Sequence, residues 1–171
     1  MKKYQTVITL YILFLIINIW NIHSITNISG IIQTDCIWTK ENGPYIITND
    51  TSISAGIILT IEAGTIIKFN SPSIQMIING SVIALGSSEE FIIFTSIKDD
   101  TVGGDDNGDG DTSFPRYGDW NKIQINSGGV IDFQYTIVRY AGFYGGNSSN
   151  QYAILNNAGN VIVNNCNIND K

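Results

Sequence analysis

Histidine is almost absent from these 171 residues: it occurs once, as His23, close to the N-terminus. A chain that loses its first 24 residues therefore keeps no imidazole, which excludes histidine general bases, His-containing triads and His-ligated metals from what remains. Cysteine is scarce as well. Cys36 and Cys166 stand at opposite ends of the chain, too few for a disulfide framework, and two separate thiols are expected. Only 14% of residues are charged and there are three prolines, so solubility rests on Asn, Ser, Thr and Gly rather than on ion pairs. No G-x-S-x-G nucleophile element is present.

What the chain does have is isoleucine and asparagine, a pairing that suits β-strands joined by polar turns and offers little to helices. The apolar fraction of 43% is enough for one core and one domain. Lys2 and Lys3 precede an apolar run from Val7 to Trp20, followed by Ile22-His23-Ser24. The run is short for a membrane span and reads as a secretory signal, with cleavage expected after Ser24 and a secreted or cell-surface location. Removal of that segment takes two lysines with it and deepens the net charge of −6. An acidic chain of this kind is a poor partner for nucleic acid or anionic lipid. No membrane span is expected after cleavage.

From Ile57 onward short apolar stretches follow one another: Ile57 to Ile61, Thr65 to Phe69, Gln75 to Ile78, Ser81 to Leu85 and Phe91 to Phe94. Beyond a polar loop come Asn121 to Ile125, Val130 to Phe133, Thr136 to Tyr140, Tyr152 to Leu155 and Asn160 to Val163. Each has the length of a strand and none carries a helical stripe. Lys68, Asp132 and Arg139 interrupt them as outward-facing residues in an inward-outward alternation. Two-residue hairpin signals are rare and the strands are uniformly apolar, which favours a stacked coil of parallel strands, with a sandwich or small barrel as the alternative. Asn156-Asn157 and Asn164-Asn165 are candidate coil corners.

The stretches Gly56 to Phe69, Ile77 to Gly86 and Phe91 to Ser96, with the acidic segment Asp99 to Asp111 and the Gly118-Asp119-Trp120 that follows it, resemble bacterial surface proteins with right-handed parallel β-helix repeats, of the pectate-lyase-like superfamily. The lead-in Trp38 to Ile47 is similar to the segment before their first full coil. The resemblance implies an all-β, right-handed parallel β-helix, a solenoid. On this reading residues 25–55 are an N-terminal lead-in and cap, residues 56–171 are the coils, and an acidic loop occupies 97–119. The C-terminal segment after Val163 resembles an unfinished coil, which predicts a fragment of a longer protein and self-association through the open last coil.

Six of the fifteen acids fall within residues 99–111. Asp105, Asn107, Asp109 and Asp111 alternate as the first half of an oxygen-rich calcium loop does, with Gly110 permitting a sharp turn. Arg116 stands where an EF-hand has its bidentate glutamate, so the site departs from that motif and a structural calcium ion is weighed against a solvated acidic loop. The expected function is a non-enzymatic scaffold module in contact with glycans or surface proteins. The alternative, a polysaccharide lyase or glycoside hydrolase, would need Asp99-Asp100 or Asp105-Asp106 to act as paired carboxylates, although adjacent acids in a strand point apart. Trp38, Tyr45, Trp120, Tyr140, Phe143 and Tyr144 are candidates for sugar stacking, with coil closure the competing role for Trp38 and Tyr45 and anchoring of the loop's return for Trp120.

Overall fold

The computed structural model describes residues 25–142 and 152–169. The expected signal segment 1–24, the Phe143-Tyr144 pair and the last two residues lie outside the described residues. Among those described, the regular structure is almost all strand: β1 (Thr26–Ile32), β2 (Cys36–Trp38), β3 (Tyr45–Ile53), β4 (Ile58–Glu62), β5 (Ile66–Phe69), β6 (Met76–Ile78) and β7 (Ser81–Leu85). It continues with β8 (Ile92–Ser96), β9 (Ile123–Ile125), β10 (Val130–Gln134), β11 (Thr136–Arg139), β12 (Ile154–Asn156), β13 (Asn160–Asn164) and β14 (Asn167–Asn169).

The strands are paired in parallel and form three rows. Row one contains the first half of β3 and then β5, β8, β11 and β14; row two contains the second half of β3 and then β6, β9 and β12; row three runs β2, β4, β7, β10, β13. The chain visits row three, row one and row two in turn and then repeats, so the fold is all-β and solenoid-like. The antiparallel hairpins of a sandwich are not found among the described strands. β3 serves two rows because it bends at Thr48-Asn49-Asp50, whose side chains are exposed between buried Ile47 and Thr51. β1 lies along the other edge of β3. Residues 25–55, expected as a lead-in, thus supply β1 to β3, of which β2 and β3 already sit in the rows.

Register turns the two-residue period of each strand into columns. Leu59, Val82 and Ile131 stand one above another, as do Ile61, Ala84 and Phe133, and all are closed to solvent. In row two the column is Ile53, Ile78 and Ile125. Burial of each of these side chains other than Ala84 contributes about 1.5–3 kcal/mol. The row-three columns end at Val161 and Val163, 37% and 39% exposed, because no further strand covers them among the described residues.

The corners are polar or tight. Asn126 Nδ2 donates to Asn79 Oδ1 at 2.8 Å and Asn79 Nδ2 to Ser52 Oγ at 3.1 Å, a ladder from one turn of the chain to the next. Tyr135 and Asn165 both take left-handed backbone between rows three and one (φ 48° and 54°). Asn156 closes its own turn by accepting from the Gly159 N–H at 2.7 Å. Asn156 thus satisfies backbone groups that the turn leaves open, whereas Asn79 and Asn126 tie neighbouring turns together through their side chains. Cys36 and Cys166 are free thiols near the two ends of the stack.

Candidate functional site

Alternation along row one puts Ile46, Lys68 and Thr95 in one outward column, with Arg139 following in β11. Outward residues of a solenoid ordinarily meet water. Here Ile46, Lys68 and Thr95 are buried, and the acidic loop between β8 and β9 folds down over Lys68 and Thr95. Lys68 Nζ donates to Gly104 O at 2.7 Å and pairs with Asp106 Oδ2. Thr95 Oγ1 donates to Asp99 Oδ2 at 2.5 Å, and the Arg139 guanidinium pairs with the same carboxylate. Thr101 Oγ1 donates to Asp99 Oδ1 at 2.6 Å, so this buried acid is fully engaged.

At the far end of the loop Asp119 performs a similar task. Its carboxylate accepts from Ser96 Oγ at 2.9 Å and from the Arg116 N–H at 3.0 Å, and pairs with Lys98 at 2.7 Å. The next residue, Trp120, is wholly buried and donates from Nε1 to Arg139 O at 2.9 Å. Charge-assisted bonds of this kind are the stronger class of hydrogen bond and hold the loop to the coil at several points. The solvated acidic loop weighed above is instead a docked one.

The apex of the loop carries the expected metal residues. Asp105 Oδ1 accepts from the Gly108 and Asp109 N–H groups at 2.8 and 3.2 Å, and Oδ2 from Gly110 at 2.9 Å. Asp100, Asp105 and Asp109 each offer one carboxylate oxygen, all within 4.8 Å of one another. Asp100 Oδ1 and Asp109 Oδ1 are shielded from solvent without a hydrogen-bond partner. Hard carboxylate oxygens in this arrangement suit a calcium ion. Of the four residues expected, Asp105 and Asp109 are brought together. Asn107 instead directs its amide nitrogen to Asp109 Oδ2 and Ser113 Oγ, at 3.0 and 3.1 Å. Asp111 lies exposed in the 3-10 turn Gly110–Thr112, outside the triad. Asp100 was not among the expected ligands, because it precedes the alternating spacing and reaches the apex only through the fold of the loop.

Burial, then the charge of Asp105, pushes the Asp100 carboxyl above its ordinary range; Lys68 opposes the shift, and Asp109 and Asp99 add to it. The adjacent acids are split in role: Asp99 pairs with Arg139 while Asp100 joins the triad, and Asp105 caps the apex while Asp106 pairs with Lys68. Neither neighbouring couple forms the two free, facing carboxylates that glycoside hydrolysis uses.

The aromatic candidates divide in the same way. Trp38 and Tyr45 stack with ring centroids 4.7 Å apart in the core, and Thr39 N–H donates to the Tyr45 hydroxyl at 3.0 Å. These rings and Trp120 close the coil and are not available to a sugar. Tyr140 is half-buried with the Arg139 guanidinium 5.5 Å from its ring. A cavity of about 220 Å³ lies among Lys40, Pro44, Ile66 and Gly103, below the usual ligand-pocket size of about 300 Å³ or more. Among the described residues no helix is long and apolar enough to cross a membrane.

No protein-family profile matches the chain, and no solved structure matches it. Over 72 residues, 42% of the chain, it is 30% identical to Protein bark beetle of Drosophila melanogaster, and the match takes in 2% of that protein's length.

Proposed function

We propose that this chain is a non-enzymatic scaffold module of a secreted or cell-surface protein, built as a right-handed parallel β-helix and presenting surfaces for glycans or other surface proteins. The observation that carries the reading is the continuity of three rows of parallel strands in register from β2 to β14, with Asp99 and Asp106 holding one loop on that stack. A stack of this kind offers long, flat, rigid faces, the usual binding geometry of repeat proteins. The acidic loop is proposed to hold a structural calcium ion at Asp100, Asp105 and Asp109, which relieves their mutual repulsion. Export is supported by the basic and apolar N-terminal segment. Incubation of the exported chain with pectin, alginate and chondroitin in the presence of calcium tests the reading. Retention of intact polymer on the protein is expected; release of unsaturated or reducing ends would overturn the non-enzymatic assignment.

A further inference from the structure

Lysine is among the residues least suited to a closed interior, yet the Lys68 and Asp106 side chains are both 0% exposed. Lys68 Nζ contacts Asp106 Oδ2 and donates to Gly104 O at 2.7 Å. The lid over them is close-fitting: a Cβ added at Gly103 would lie 2.9 Å from Pro44 Cγ and 3.3 Å from Lys68 Cε. Two opposite charges shut away from water are held there against a desolvation penalty of several kcal/mol per ion. Transfer of one proton from the ammonium to the carboxylate removes both charges and leaves a neutral amine against a neutral carboxyl group. A desolvated lysine amine is a nucleophile, and contact distance in a water-excluding site supplies the proximity that amide formation lacks in solution.

We propose that Lys68 and Asp106 form a self-modification site at which the chain crosslinks itself through an amide between Lys68 Nζ and Asp106 Cγ. The ammonium gives one proton to the Asp106 carboxylate. The amine then adds to Cγ, forming the N–C bond and a tetrahedral centre. The nitrogen loses a further proton, the Cγ–OH bond breaks, and the hydroxyl leaves with that proton as water. One ammonium and one carboxylate become one amide and one water, so no oxidant, activated donor or cofactor enters. The product ties the acidic loop to β5 permanently.

Peptide mapping of the full chain by mass spectrometry decides the matter. The linked protein is expected to weigh one water less than its sequence, and trypsin to leave residues 41–98 uncut after Lys68 and joined to residues 99–116. A succinimide at Asp109-Gly110 also loses water, but inside a single unbranched peptide. Recovery of 41–68 and 99–116 as separate peptides, with or without that lesion, overturns the proposal. Lys68→Arg and Asp106→Ala are expected to restore the full mass and the separate peptides, and the wild-type map stands whether or not these variants fold.

Discussion

Trp120 lies flat on Phe69, with ring centroids 3.9 Å apart and planes 2° from parallel. The residue that ends the acidic loop is thereby bound to the strand whose Lys68 holds the loop's middle. Phe69 faces inward beside outward Lys68, so the coil grips the loop from its inner and outer surfaces at once.

Trp120→Ala should therefore cost about 3–5 kcal/mol, as deletion of large buried aromatics does. It should also loosen the loop. Urea denaturation gives the first quantity, and limited proteolysis within 101–116 the second. A variant as stable as the wild type would mean that the loop docks without its anchor.

Calcium should bind weakly, with Kd about 10⁻⁴ to 10⁻³ M as in extracellular modules. Titration calorimetry separates the two ligand sets. Asp100→Ala and Asp109→Ala should abolish the heat, whereas Asp111→Ala should leave it intact, since Asp111 lies outside the triad. Loss on Asp111→Ala with retention on Asp100→Ala would restore the alternating set Asp105, Asn107, Asp109 and Asp111.

Asp100 also predicts a pH dependence. Its folded-state pKa is raised, so the folded chain holds that proton more tightly than the unfolded chain. The contribution favours the fold below the ordinary carboxylate range and is lost as pH rises through the raised folded value. Without calcium, Asp100→Asn should match the wild type at low pH and exceed it in stability near neutrality. Urea midpoints measured across that range check this; a constant difference between the two proteins would contradict it.

Val161, Val163 and Ile168, 37%, 39% and 41% exposed, extend apolar columns that are closed elsewhere in the stack. Uncovered strand edges with apolar side chains pair with other chains. The isolated chain at tens of micromolar is expected to self-associate in light scattering, and Val161→Lys with Val163→Lys to suppress it. A monomeric wild type would show that this edge is protected.

The strands after Ile57 were legible because register in a parallel stack needs only a two-residue period and tight breaks, both local. Lys68 and Arg139 were legible as outward residues for the same reason. What covers them was not, because docking of the loop joins residues such as Lys68 and Asp106 that no spacing rule connects. β3 was not legible because Thr48, Asn49 and Asp50 resemble a break, whereas they are a bend within one strand. Asp105 and Asp109 were found through their alternation. Asp100 has no such signature, and its place depends on how the loop returns to itself.

The acidic loop leaves the stack between rows one and two, after β8. Corners elsewhere are closed: between rows two and three a Cβ at Gly80 would lie 2.2 Å from Ser54 O, and between rows three and one a Cβ at Gly86 would lie 2.5 Å from Tyr135 O. The molecule is thus a prism with two sealed edges and one open seam. Added chain length is inexpensive where it does not disturb register, since each doubling of a flexible loop adds only about 0.6 kcal/mol of closure entropy. Novelty can accumulate along that seam while the walls stay as they are, and a peptide grafted there would be displayed beside the next turn at the ~4.8 Å pitch of the strands.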